Sequence, residues 1–114
     1  MKVTYASTLS EEPLLVQSFS VSGSNKELIH DAIVKSALNR EWTITDNQSG
    51  IVSCQLTHRT YDSTLTFNYN KEKVEIYSVS YKINKSTKKR LKRSEPDDWI
   101  RNLQKDILVF LGAY

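Results

Sequence analysis

Lys82, Lys85, Lys88, Lys89, Arg90, Lys92 and Arg93 follow one another along the chain with no acidic residue between them. The whole sequence has 16 Lys and Arg against 13 Asp and Glu, so outside this stretch nine cations face 13 acids and the remainder is net acidic. Charge concentrated in this way is chemistry for anions. It attracts phosphate groups or an anionic lipid surface, whereas a net charge of +3 spread evenly would only help keep a small protein in solution. Tyr77 and Tyr81 precede or enter the stretch, with Tyr61 and Tyr69 on a neighbouring segment, and rings beside Lys and Arg are the ingredients of a platform on which single-stranded bases stack. Two blander readings stand beside these: tyrosines at strand spacing commonly pack a sheet, and a run of cations can be a solvated loop.

Other chemistry finds less to work with. His30 and His58 are the only histidines, and neither has Cys, Asp or Glu at the spacing of a zinc site. Cys54 is the single cysteine, so no intrachain disulfide can form, and its place in an alternating apolar run suits a small buried hydrophobe better than a nucleophile. No serine lies in a nucleophile elbow, and Gly23, Gly50 and Gly112 stand alone, so no glycine-rich loop cradles a phosphate. The expectation is therefore a non-enzymatic protein with no catalytic residues, no metal and no cofactor.

The elements that must position the basic stretch can be read from periodicity. A chain of 114 residues suffices for one domain with its own core. Residues 1–12 are polar and aperiodic and read as a flexible tail, leaving 13–114 as the domain. Leu15, Phe19 and Val21 share one parity and read as a strand from Pro13. Ser24 with Glu27 matches a capping box, and Leu28, Ile29, Ala32, Ile33, Ala37 and Leu38 then recur at helical spacing to about Asn39. Beyond that the period becomes two. Trp42 and Ile44, then Val52, Cys54 and Leu56, then Tyr61, Leu65, Phe67 and Tyr69 form successive strands, with turn residues at 46–50 and at 70–72. The run from Val74 to Ile83 switches parity, which predicts either a bulge or a strand apolar on both faces near Ile76 and Tyr77. Ser94 is placed as the cap of a last helix, Pro96 near its start, and Trp99, Ile100, Leu103, Ile107, Phe110 and Leu111 as its apolar stripe up to Gly112.

The predicted order is β-α-β-β-β-β-α: an α+β domain whose antiparallel sheet is covered on one face by two helices. Leu28, Ile33, Trp42, Leu56, Leu65, Phe67, Trp99, Leu103 and Ile107 are the expected core. Truncating either Leu65 or Trp99 to alanine is then expected to cost roughly 3 kcal/mol or more. Residues 85–93 are expected to form an exposed connection between the last strand and the last helix.

Ala37-Leu38-Asn39-Arg40-Glu41-Trp42, Gly50-Ile51-Val52, Val74-Glu75-Ile76-Tyr77 and Trp99-Ile100-Arg101-Asn102-Leu103, followed by Ile107 and Leu111, resemble small bacterial envelope lipoproteins of unknown function over residues 27–111. Those proteins carry Arg-Gly-Trp where this chain has Arg40-Glu41-Trp42, and a lipobox cysteine near the N-terminus that it lacks. The resemblance implies an exported, membrane-tethered accessory domain and brings no catalytic residues. The element order is also similar to TATA-binding-protein-like or helix-grip domains, a likeness of fold that carries no DNA function.

Two localisations follow. If a leader was removed ahead of Met1 the chain belongs to the periplasm; if Met1 is the native start it belongs to the cytosol. The leading expectation is a small binding or accessory domain of the envelope, its seven cations meeting an anionic membrane surface or an acidic protein. The alternative is a cytosolic nucleic-acid module using residues 82–93 with Tyr77 and Tyr81.

Overall fold

The structure, a computed structural model, describes residues 11–21 and 25–112, so most of the expected tail lies outside the described residues. Eight elements follow in order: β1 (Leu14–Ser20), α1 (Lys26–Asn39), β2 (Thr43–Gln48), β3 (Ile51–His58), β4 (Tyr61–Tyr69), β5 (Lys73–Ile83), β6 (Arg90–Arg93) and α2 (Asp97–Phe110). The α+β class and the antiparallel sheet with two helices packed against it are as predicted. The difference is β6, a short strand formed by residues expected to be a connection.

The sheet runs β1-β5-β4-β3-β2, with β6 also paired to β5. Because β4 occupies one edge of β5 along Val74–Lys82, β1 and β6 share the other edge end to end, β1 against 73–78 and β6 against 81–83. Val52, Cys54, Leu65, Phe67, Val74 and Ile76 point to the covered face and are fully buried against Ile29, Ile33 and Ala37 of α1 and Leu103 and Ile107 of α2. The opposite face carries Ser53, Thr64, Thr66 and Asn68, half-buried, with Ser53 and Thr66 hydroxyls 3.0 Å apart across β3 and β4.

Three sequence expectations are corrected. First, of the two readings of β5 the bulge is the one that fails, since it lies in the partner strand, where the β1 register slips at Val16, between Leu15 opposite Tyr77 and Gln17 opposite Ile76. β5 itself is apolar on both faces, with Val74 and Ile76 buried on one and Tyr77 and Val79 half-buried on the other. The alternation of β5 is unbroken from Val74 to Ser80, and its covered-face positions 78 and 80 are serines. Their hydroxyls bond to each other at 2.7 Å, and Ser80 bonds to the equally buried Ser63 at 2.6 Å. Buried polar groups cost little once paired, so the ladder hides in an apolar core and imitates a parity switch in the sequence.

Second, the stripe of α1 is rotated. Its buried residues are Ile29, Ala32, Ile33, Ser36 and Ala37, while Leu28 is 54 % and Leu38 55 % exposed. The six apolar positions read as the stripe spread over more of the helix circumference than the sheet can cover, so contact with the sheet selects the part centred on Ile29, Ile33 and Ser36 and leaves Leu28 and Leu38 outside it. Third, both helix starts differ. Asn25 caps α1, its side-chain oxygen accepting from the Leu28 amide at 2.8 Å, while Ser24 lies outside the described residues. Pro96 occupies the cap position of α2 without a side-chain bond, and the Ser94 hydroxyl turns instead to Tyr61 at 3.2 Å.

Candidate functional site

The basic stretch is a hairpin. From Ile83 the chain turns through residues 84–89 and returns as β6, with Tyr81 opposite Arg93, Lys82 opposite Lys92 and Ile83 opposite Arg90. The turn is fixed by its own polar groups. The Asn84 side-chain oxygen accepts from the Ser86 and Thr87 amides, both at 2.9 Å. The Asn84 amide donates to the Lys89 carbonyl and the Lys88 amide to the Asn84 carbonyl, each at 2.8 Å. An asparagine that bonds two and three residues onward is a self-made turn, and it tolerates the left-handed Lys88 that follows, at φ 64°.

The seven cations divide by type. Arg90 meets Asp62 at 3.3 Å and Glu11 at 3.4 Å, and its guanidinium lies 4.2 Å above the Tyr81 ring. Arg93 donates to the Ser78 carbonyl at 3.0 Å and the Glu12 carbonyl at 2.9 Å, approaches Glu95 at 3.6 Å and lies 5.6 Å from the same ring. A planar guanidinium can stack and bond in-plane at once, which an ammonium cannot, so the arginines are spent on holding the hairpin to the domain. Lys82 sits 5.4 Å from the Tyr61 ring. Lys85, Lys88, Lys89 and Lys92 are exposed, and among the described residues none of them forms an ion pair. Leu91 stands among them, 58 % exposed. Lys82 directly opposite Lys92 is a repulsive cross-strand pair, which an anion bridging the two would relieve.

The tyrosines do not join this surface. Tyr81 is 1 % exposed with its ring covered by the two guanidinium groups, so it has no face to offer a base. Tyr77 is half-buried on the helix-free face, beside Pro13, Thr66 and Asn68 around a shallow hollow of about 330 Å³. At the rise of a strand it lies about 17 Å from Lys82. The stacking platform expected of Tyr77 and Tyr81 is therefore not assembled.

At the root of the hairpin the serine ladder continues outward. Ser78 donates to the Glu95 carboxylate, which faces Arg93, whose side chain is only 14 % exposed. This chain of bonds ties the β6–α2 connection to the core. Glu95→Ala is expected to lower the unfolding free energy by about 1–3 kcal/mol, because it leaves a buried hydroxyl and a nearly buried guanidinium short of an acceptor. Urea denaturation reads it; a change within the error of the midpoint would show that the network holds nothing.

Composition gave no sign of a second feature. Trp42, Leu56 and Trp99 form the floor, and Arg40, Glu41, His58 and Asn102 the rim, of a cleft of about 270 Å³. The indoles meet edge to face, centroids 5.8 Å apart at 88°, and Trp99 is flanked by Tyr61 at 5.5 Å and His58 at 6.3 Å. Arg40 donates through Nε at 2.6 Å and Nη2 at 3.2 Å to Asp106, and that hydrogen bond raises its pKa further. Glu41 has φ 69° and Arg59, beside His58, has φ 56°, backbone that non-glycine residues adopt only when their surroundings hold them there. In the sequence neither residue has a role of its own, and both tryptophans read as core.

The remaining candidates are quiet. Burial pushes the Cys54 thiol up to about 12, which removes it from thiolate chemistry. The His30 pKa is raised, first by its 2.6 Å bond to Asn47 and then by Asp31. Among the described residues no three His, Cys, Asp or Glu side chains converge as a metal site, and no helix is long and apolar enough to cross a membrane. Compared with protein-family models and with curated proteins, the chain matches none, so its function has to be read from these side chains.

Proposed function

We propose that this chain is a small non-enzymatic accessory domain of the bacterial envelope that docks on an anionic membrane surface through the β5–β6 hairpin. The observation that carries the reading is the group Lys85, Lys88 and Lys89 on a turn locked by Asn84 with Lys92 on β6 beside it, all exposed and, among the described residues, in no ion pair. A preformed turn loses little entropy when it binds, so the attraction of its charges is not spent on ordering it. Each Lys near an anionic bilayer contributes about 1 kcal/mol. Leu91 supports lipid over other polyanions: an exposed leucine flanked by cations can enter the boundary between headgroups and acyl chains while the lysines remain among the phosphates. The envelope assignment rests on the resemblance to the lipoproteins, which place glycine at position 41, and φ at Glu41 is 69°, the region that favours glycine.

Leu91→Ser separates this reading from nucleic-acid binding. On vesicles containing phosphatidylglycerol the substitution is expected to weaken binding about tenfold, since inserting a leucine side chain is worth about 1.5 kcal/mol even when incomplete. Should the wild type prefer a single-stranded oligonucleotide to these vesicles at equal salt, the hairpin would be a nucleic-acid contact and the lipid reading would fail.

A further inference from the structure

We infer that the cleft between the α1–β2 corner and the start of α2 is a saccharide-binding site that takes one neutral pyranose ring. A sugar ring has a face of C–H groups that lies flat on an indole and a perimeter of hydroxyls, each needing both a donor and an acceptor. The cleft supplies both parts. Trp99, half-buried, stands in its floor, and Trp42, only 3 % exposed, lies beside it and holds it through the edge-to-face contact. Around them, Arg40 retains N–H groups beyond the two given to Asp106, Asn102 offers a donor and an acceptor, and Glu41 offers a carboxylate that is in no ion pair among the described residues.

Two other ligand classes fit less well. An organic cation wants several ring faces around it, and with Trp42 buried the cleft presents a platform and not a cage. A phosphorylated ligand such as a nucleotide would find one full cation in the lining, Arg40, already bonded to Asp106, and the Glu41 carboxylate beside it, so the cleft offers a phosphate no free cationic clamp. The size agrees with one ring. At about 270 Å³ the cleft falls just below the 300–1,000 Å³ typical of sites for drug-sized ligands.

Glu41 ties the inference to the backbone. Its left-handed conformation is fixed by three bonds at the helix end: the amides of Arg40 and Trp42 to the Ala37 carbonyl at 3.2 and 3.0 Å, and its own to Leu38 at 3.0 Å. Glycine would sit there without strain, so a carboxylate at this position is kept at a cost to the fold and delivered to the rim by a rigid corner.

The chain's only two tryptophans both line the cleft, so indole emission reports its occupancy directly. Titrating the full chain with glucose, N-acetylglucosamine and their β-1,4-linked disaccharides is expected to give a saturable change in emission for at least one sugar. Asn102→Ala, at an exposed position, should weaken that sugar about tenfold, the worth of one good hydrogen bond. Glu41→Gly should weaken it similarly while leaving the thermal midpoint equal to or above that of the wild type. The inference is overturned if no sugar saturates the signal of the folded wild type. It also fails if tetramethylammonium saturates it in their place, or if both variants bind as the wild type does. None of these readouts depends on the basic hairpin.

Discussion

Leu65→Ala is expected to lower the unfolding free energy by about 3 kcal/mol, while Leu28→Ala changes it by less than about 0.5 kcal/mol. Both leucines fit an apolar stripe in the sequence. Leu65 is fully buried at the centre of β4, paired with Cys54 and Ser78 on its flanking strands and packed under the helices. Its removal leaves a cavity between rigid strands that cannot close around it. Leu28 is 54 % exposed on the outer side of α1, so alanine there forfeits little buried area and gains slightly in helix propensity. Trp99→Ala should fall between them, because the ring is only half-buried, and below the 3 kcal/mol expected from the pattern alone. Urea titrations of the three variants measure the ranking. Equal losses at Leu65 and Leu28 would mean that α1 is rotated from the orientation described.

β3 and β4 were legible because their apolar residues alternate and they turn through short polar segments, and β4 in particular matches its predicted bounds. Legibility ended where side chains are chosen by tertiary partners. Ser78 and Ser80 look like an outward face until Ser63, 17 residues before Ser80, is brought opposite to share its hydroxyl. The orientation of α1 depends on which part of a wide apolar stripe meets the sheet, a matter periodicity leaves open. The charge run at 82–93 was visible as composition. Its division into bonded arginines and free-standing lysines was not, since Asp62 and Glu11, which pair with Arg90, lie 28 and 79 residues away. The Trp42–Trp99 cleft had no sequence signal at all. Its residues come from the end of α1, the end of β3 and the start of α2, and each by itself is an ordinary core or turn residue.

Replacing Lys85, Lys88, Lys89 and Lys92 together by serine is expected to weaken binding to anionic vesicles by about 4 kcal/mol, or about a thousandfold. The fold should survive, because these side chains are exposed and, among the described residues, in no ion pair, and the turn is held by Asn84 and by backbone bonds that serine leaves intact. Removing four mutually repelling charges should if anything raise stability slightly. Arg90→Ser is expected to behave in the opposite way. It loses the Asp62 and Glu11 pairs and uncovers Tyr81, so its main effect is on stability, with vesicle binding reduced by the share of one charge.

The central claim, that the hairpin presents its lysines to an anionic membrane, is tested most directly by sedimenting the wild-type chain with phosphatidylcholine vesicles doped with increasing phosphatidylglycerol, at low and at high salt. The account predicts no retention on pure phosphatidylcholine, a steep rise with anionic lipid, and collapse of that rise once the Debye length falls below about 8 Å. Retention that is independent of vesicle charge, or absent at low salt on the most anionic vesicles, would contradict it.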